Sequence, residues 1–172
     1  SLEKQKVVKT IKIGGYPRGI TVSSDSQFAY VAQMGGAVIH KINLETWEKE
    51  LLNVGSNPRA VVLSPDNSML YATLNSSGRV VAFDLALNKV VKSVKTGSAS
   101  RSLDISSDGT ALYVVNYTSD TISKVRVSDF KVLQKIKACN EPIGITYEPV
   151  NKRVWVACYK GAIKIFSESP SQ

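Results

Sequence analysis

The sequence is poor in the residues that most often carry chemistry. Its 172 residues include one histidine, His40, and two cysteines, Cys139 and Cys158. A lone histidine offers no base–orienter pair of the kind general acid–base catalysis requires. The cysteines form no Cys-x-x-Cys-His haem attachment, and with no further Cys pair or His beside them a metal site is disfavoured. Gly-rich phosphate loops and Ser nucleophile motifs are also missing. There is no run of about eighteen apolar residues, which excludes a spanning helix. The N-terminus carries charge without an apolar stretch, so a signal peptide is read as absent or already removed. No window has a convincing helical period, so α content should be low. No catalytic residue, metal or cofactor is assigned.

What the chain has instead is repetition. Ser56 to Thr73 reads SNPRAVVLSPDNSMLYAT, two apolar runs joined by a polar turn. Related phrases start at Tyr16, Ala99 and Glu141. The landmark Pro17, Pro58, Ser100, Pro142 recurs at intervals of 41, 42 and 42 residues, and so does the aromatic landmark Tyr30, Tyr71, Tyr113, Trp155. A period in the low forties with short alternating strands is the length of a four-stranded propeller blade.

Each unit parses as strands a to d. Strand a follows the Pro landmark, and a Ser/Asp/Asn-rich turn leads to strand b, on which the aromatic landmark is read as a residue packed between blades. Strand c is the next alternating run, and strand d is punctuated by Lys. Residues 6–14, KVVKTIKIG, match residues 89–97, KVVKSVKTG, a strand d, whereas the fourth unit stops after strand c. The expected fold is therefore an all-β propeller of four 41–42-residue blades over 1–167, with a tail at 168–172. The N-terminal strand would serve as outer strand of the last blade. Three closures are open: one chain closing as four blades (the least favoured, because the axis is narrow), two chains forming an eight-bladed ring, or a segment of a larger propeller.

The net charge of +8 raises the question of a polyanion partner. Much of it lies on or beside strands d, at Lys6, Lys9, Lys12, Lys89, Lys92, Lys95, Lys131, Lys135 and Lys137. Lysines on outer strands protect sheet edges from strand addition. Edge protection is favoured over nucleic-acid binding, since no basic groove is interleaved with aromatic residues.

The phrases Pro17-Arg18-Gly19-Ile20, Ser107-Asp108-Gly109 and Leu112-Tyr113-Val114-Val115-Asn116 resemble the YVTN family of β-propeller repeats (YncE-like proteins). The linking phrase Asp84 to Val91 is also similar to that family's. The resemblance implies a propeller found in periplasmic or cell-surface proteins and implies little about a ligand.

In a propeller the d–a and b–c loops share one face. The residue after each Pro landmark is Arg18, Arg59 or Arg101, with Ile143 in the fourth unit. Converging guanidiniums suit capture of a carboxylate or phosphate. The alternative is that each Arg pairs or stacks within its own blade. Gln33, Asn75, Asn116 and Tyr159 lie on the b–c loops as further ligand contacts, although a terminal Asn also caps strand b. Cys139 and Cys158 fall on the same face of one blade, so a disulfide is geometrically open, beside the reading of two ordinary small residues. Asp25, Asp66 and Asp108 recur as turn residues. The favoured function is a non-enzymatic binding or scaffold module for an anionic small molecule or a protein, with a homodimer as one assembly. A propeller lyase or lactonase, and a polyanion or nucleic-acid binder, are the alternatives.

Overall fold

The structure is a computed structural model and describes residues 2–168. Of the tail expected at 168–172, only Glu168 falls among them. Among the described residues the chain is all strand and turn, and no helix is long and apolar enough to cross a membrane.

The described residues form fifteen strands in four antiparallel sheets. Blade 1 is β1 (Tyr16–Val22), β2 (Phe28–Met34), β3 (Val38–Asn43) and β4 (Lys49–Asn53). Blade 2 is β5 (Pro58–Leu63), β6 (Met69–Leu74), β7 (Arg79–Asp84) and β8 (Lys89–Lys95). Blade 3 is β9 (Ser100–Ile105), β10 (Ala111–Asn116), β11 (Thr121–Arg126) and β12 (Lys131–Lys137). Blade 4 has three strands, β13 (Pro142–Glu148), β14 (Arg153–Cys158) and β15 (Ala162–Ser167). The fold is the expected four-blade β-propeller architecture.

The a–b turns form because serine and aspartate replace backbone partners. Ser23, Ser64 and Ser106 each donate from Oγ to the aspartate two residues on, at 2.5 Å in all three blades. The same hydroxyls accept the N–H of Phe28, Met69 and Ala111. Strand b therefore starts at a fixed place in each blade. In blade 4, Glu148 takes over, accepting the N–H groups of Val150 and Asn151.

In blades 1 to 3 strand b is buried on both faces, which supply much of the contact between blades, whereas β14 of blade 4 is buried on one face only. Tyr30, Ala32, Ile39 and Leu52 of blade 1 meet Val61, Leu70, Ala72 and Phe83 of blade 2. Tyr71, Val80 and Ala82 of blade 2 meet Leu103, Leu112 and Val125 of blade 3. Tyr113, Val115 and Ile122 of blade 3 meet Ile145, Val154 and Val156 of blade 4. Among the described residues no comparable packing returns from blade 4 to blade 1. The four blades thus form an arc, each blade's front face covered by the back of the next.

The ends of the arc depart from two expectations. Residues 6–13 form no strand and do not complete the sheet of β13–β15 within the chain. With the arc open, β15 and the N-terminus belong to opposite ends, and the segment folds onto its own blade. There Ile11 and Ile13 pack on Ala29, Val31 and Ile42. Lys49 Nζ also donates to the Lys12 carbonyl at 2.9 Å. Intramolecular closure is thereby overturned. Trp155 is the second departure: expected between blades, it is partly exposed, on a face of blade 4 that none of the described blades covers.

Candidate functional site

Every strand a opens with an irregularity. The register of β1 against β2 shifts between Pro17 and Ile20, and that of β5 against β6 between Pro58 and Val61. The pairing of β9 with β10 jumps from Leu103 to Ser100, and that of β13 with β14 shifts between Pro142 and Gly144. A bulge re-aims the side chains it contains. The bulged positions are Arg18, Arg59, Arg101 and Ile143, and these four line one open cleft of about 230 Å³ with Gly19, Ala60 and Ser102.

The bulges are held close to each other. A Cβ on Gly19 would lie 2.7 Å from Cα of Ala60, so only glycine allows β1 to approach β5 this closely. Thr73 Oγ1 accepts the Ala60 N–H at 3.0 Å and donates to the Arg101 carbonyl at 2.7 Å, tying two bulges through one buried hydroxyl. Asn75 donates from Nδ2 to the Ser100 carbonyl at 3.2 Å.

Charge in this cleft is uncompensated. Among the described residues, none of the three guanidiniums has a carboxylate ion-pair partner. Burial, and then the charges of Arg101 and Arg18, push the Arg59 guanidinium below its ordinary value. Arg59 Nη1 donates to the Met34 sulfur at 3.3 Å, a weak acceptor. The Arg101 guanidinium stacks 3.3 Å above the Tyr117 ring, and its buried Nε has no hydrogen-bond partner among the described residues. The cation–π contact orients Arg101 without neutralising it.

The other expected site residues divide. Tyr159 is exposed and sits edge-on to Tyr117, 6.3 Å between centroids, and so borders the stack on Arg101. Asn75 braces the bulge of β9. Gln33 is turned to His40, whose Nε2 lies 2.8 Å from its side-chain oxygen. Asn116 is fully buried, which corrects its assignment as a ligand contact. Its amide accepts from Ser100 Oγ and donates to Thr121 and Ser123 hydroxyls, which occupies the group inside blade 3. Thr73, Met34 and Tyr117 were not singled out from sequence. Only the bulge and the neighbouring blade give them their roles.

Cys139 and Cys158 form a disulfide, with Cα atoms 6.1 Å apart. It ties the connection before β13 to the end of β14. Of the two readings left open by the sequence, the bond is the one found.

The profile of the cytochrome D1 heme domain matches residues 49–164, two thirds of the chain. The chain belongs to this family. It is also 32% identical over 130 residues to the seven-bladed beta-propeller protein Rv1057 of Mycobacterium tuberculosis, covering 72% of this chain and 32% of that protein. It is 28% identical over 174 residues to antigen Lp49 of Leptospira interrogans, covering 87% and 37% respectively. The chain thus spans about a third of the length of these curated relatives. In shape it is similar to Kuenenia stuttgartiensis hydrazine synthase, with a TM-score of 0.84 at 19% identity, over 95% of this chain and 49% of that one. That likeness concerns the fold.

Proposed function

We propose that the chain is a non-enzymatic binding propeller whose Arg18–Arg59–Arg101 cleft takes a small anion of the carboxylate or phosphate class. One observation carries the reading: three guanidiniums from successive blades line one cleft with no carboxylate paired to them. Like charges brought together at a built bulge are stabilised by an anion, and a planar guanidinium suits bidentate capture. Tyr159 and Tyr117 border the site, and Asn75 supports it.

The family is described as a heme domain, and the donors of this chain do not fit that group. His40 lies buried in blade 1, bonded to Gln33 and away from the cleft. Both cysteines are consumed in their disulfide, and the Met34 sulfur accepts from Arg59. Among the described residues no three His, Cys, Asp or Glu side chains gather to hold a metal. The same placement of His40 disfavours a propeller lyase or lactonase, which needs a His–acid cluster at the axis. Within the propeller family, Leu112-Tyr113-Val114-Val115-Asn116, together with Pro17-Arg18-Gly19-Ile20 and Ser107-Asp108-Gly109, supports a YVTN-type (YncE-like) membership. The disulfide supports an oxidising, periplasmic or cell-surface setting.

Titration calorimetry with inorganic phosphate and with a dicarboxylate tests the reading. Arg59→Ala should weaken binding of the better probe at least tenfold, about 1.4 kcal/mol, at an unchanged melting temperature. Equal affinity of the variant and the parent, or no binding of either probe to the parent, overturns it.

A further inference from the structure

One repeat position sets the chemistry of the cleft, and blade 4 departs from it. The bulge of strand a carries Arg18, Arg59 and Arg101 in blades 1 to 3 and Ile143 in blade 4, and all four residues line the same cleft. Charge therefore comes from three blades, while the wall given by β13 is aliphatic. Ile143 cannot donate to an anion, and water lying against it is water that an apolar group displaces with gain. Of the remaining lining residues, Gly19 and Ala60 add no polar side chain and Ser102 adds one hydroxyl. The space also exceeds what a simple anion fills. A water needs about 15 Å³ of such volume, and the cleft has about 230 Å³.

The aliphatic wall is held in place by a device that the other blades lack. Three residues before the landmark of strand a stands Gly14, Gly55 or Gly97 in blades 1 to 3, and Cys139 in blade 4. The matching residue at the end of strand b is Gln33, Leu74 or Asn116, and Cys158 in blade 4. In blades 2 and 3 that side chain fills the space over the glycine. A Cβ on Gly55 would lie 2.9 Å from Leu74 Cδ1, and one on Gly97 would lie 2.5 Å from Asn116 Cγ. In blade 4 a bond between the two sulfurs takes this place. The Glu141 N–H donates to Asp120 Oδ1 at 2.8 Å, and the Glu141 carbonyl accepts the Tyr159 N–H at 3.0 Å. Pro142 is buried and pairs with Cys158 itself. Ile143 thus follows a fixed stretch of backbone, which leaves little to order when a ligand arrives.

We infer that the ligand of this cleft is an anion that carries an aliphatic group, not a free inorganic anion. Its charged head lies among the guanidiniums of Arg18, Arg59 and Arg101, and its aliphatic part covers Ile143. The inference rests on the anion-binding reading of the cleft and adds the class of anion.

Titration calorimetry with inorganic phosphate and with n-butyl phosphate, at a pH where both are dianions, tests it. The parent chain should bind butyl phosphate more tightly than inorganic phosphate by about fivefold or more. Ile143→Ser should bring the two affinities to within about twofold and leave that for inorganic phosphate as it was. Ile143→Arg, which restores the residue of the other three blades, should also abolish the preference, and it decides alone if the serine variant fails to fold. Equal affinity of the parent for both probes overturns the inference and leaves anion binding standing. So does a preference that a folded variant keeps, since the butyl group then lies on some other surface. Binding of neither probe removes the anion reading itself, and the inference with it.

Discussion

At the residue scale the repeat is clearest where it is broken, and His40 is one such place. Its counterpart one period on is Val81, fully in the core of blade 2. His40 is itself buried, with Nδ1 unpartnered and Nε2 committed to Gln33. Burial, and secondarily the charge of Lys49, push its pKa below the ordinary value. The folded state therefore resists a proton that the unfolded chain accepts near pH 6.5, and stability falls as pH drops through and below that value. The turn carboxylates act lower. Asp66 and Asp108 are held down to about 2 by serine hydroxyls and backbone N–H groups, so their stabilisation is present above pH 4 and lost as pH falls from 4 to 2. His40→Val should shrink the difference in melting temperature between pH 7 and pH 5 and leave the steeper loss below pH 4 unchanged. An unaltered difference between pH 7 and pH 5 would remove His40 as its source.

At the element scale the disulfide is the one covalent tie, and it lies in the blade that has least else to hold it. Blade 4 has three strands and one bare face, while blades 2 and 3 are covered on both sides. Closing a loop between residues 19 apart restrains the unfolded chain by about 3 kcal/mol in the loop-entropy account. Cys139→Ser with Cys158→Ser should lower stability by about that amount in chemical denaturation, and a reductant should reproduce it on the parent chain. A loss under about 1 kcal/mol would mean that the bond adds little to blade 4 beyond its non-covalent contacts. Elements of this kind were legible unevenly. Strands, turns and blade period follow from Pro58, Asp66, Tyr71 and their copies, because alternation and turn chemistry are local. The convergence of Arg18, Arg59 and Arg101 was legible too, since one repeat position maps to one place on a propeller. The bulges that aim them, Thr73 that ties two of them, and Tyr117 beneath Arg101 depend on cross-strand register and on the next blade, which no local pattern carries. Asn116 misled for the same reason: a strand-end amide looks alike from sequence whether it meets a ligand or the Ser100 hydroxyl.

At the scale of the whole molecule, stability runs along the arc as it does in other repeat architectures, where each unit is held by its neighbours. Strands β6, β7, β10 and β11 lie in blades covered on both sides and include many of the most buried side chains, among them Phe83, Leu70, Leu112 and Val125. Strand β15 is an outer strand with mostly exposed residues, an unpaired edge and a bare face. Opening costs least where buried apolar contact is least, so backbone exchange should be graded by position. In hydrogen exchange at high dilution, the amides of β15 should exchange first and those of β6 and β10 last, separated by at least a hundredfold. Amides of β15 protected as strongly as those of β6 and β10 would remove the gradient, and with it the account in which each blade is held by its neighbours.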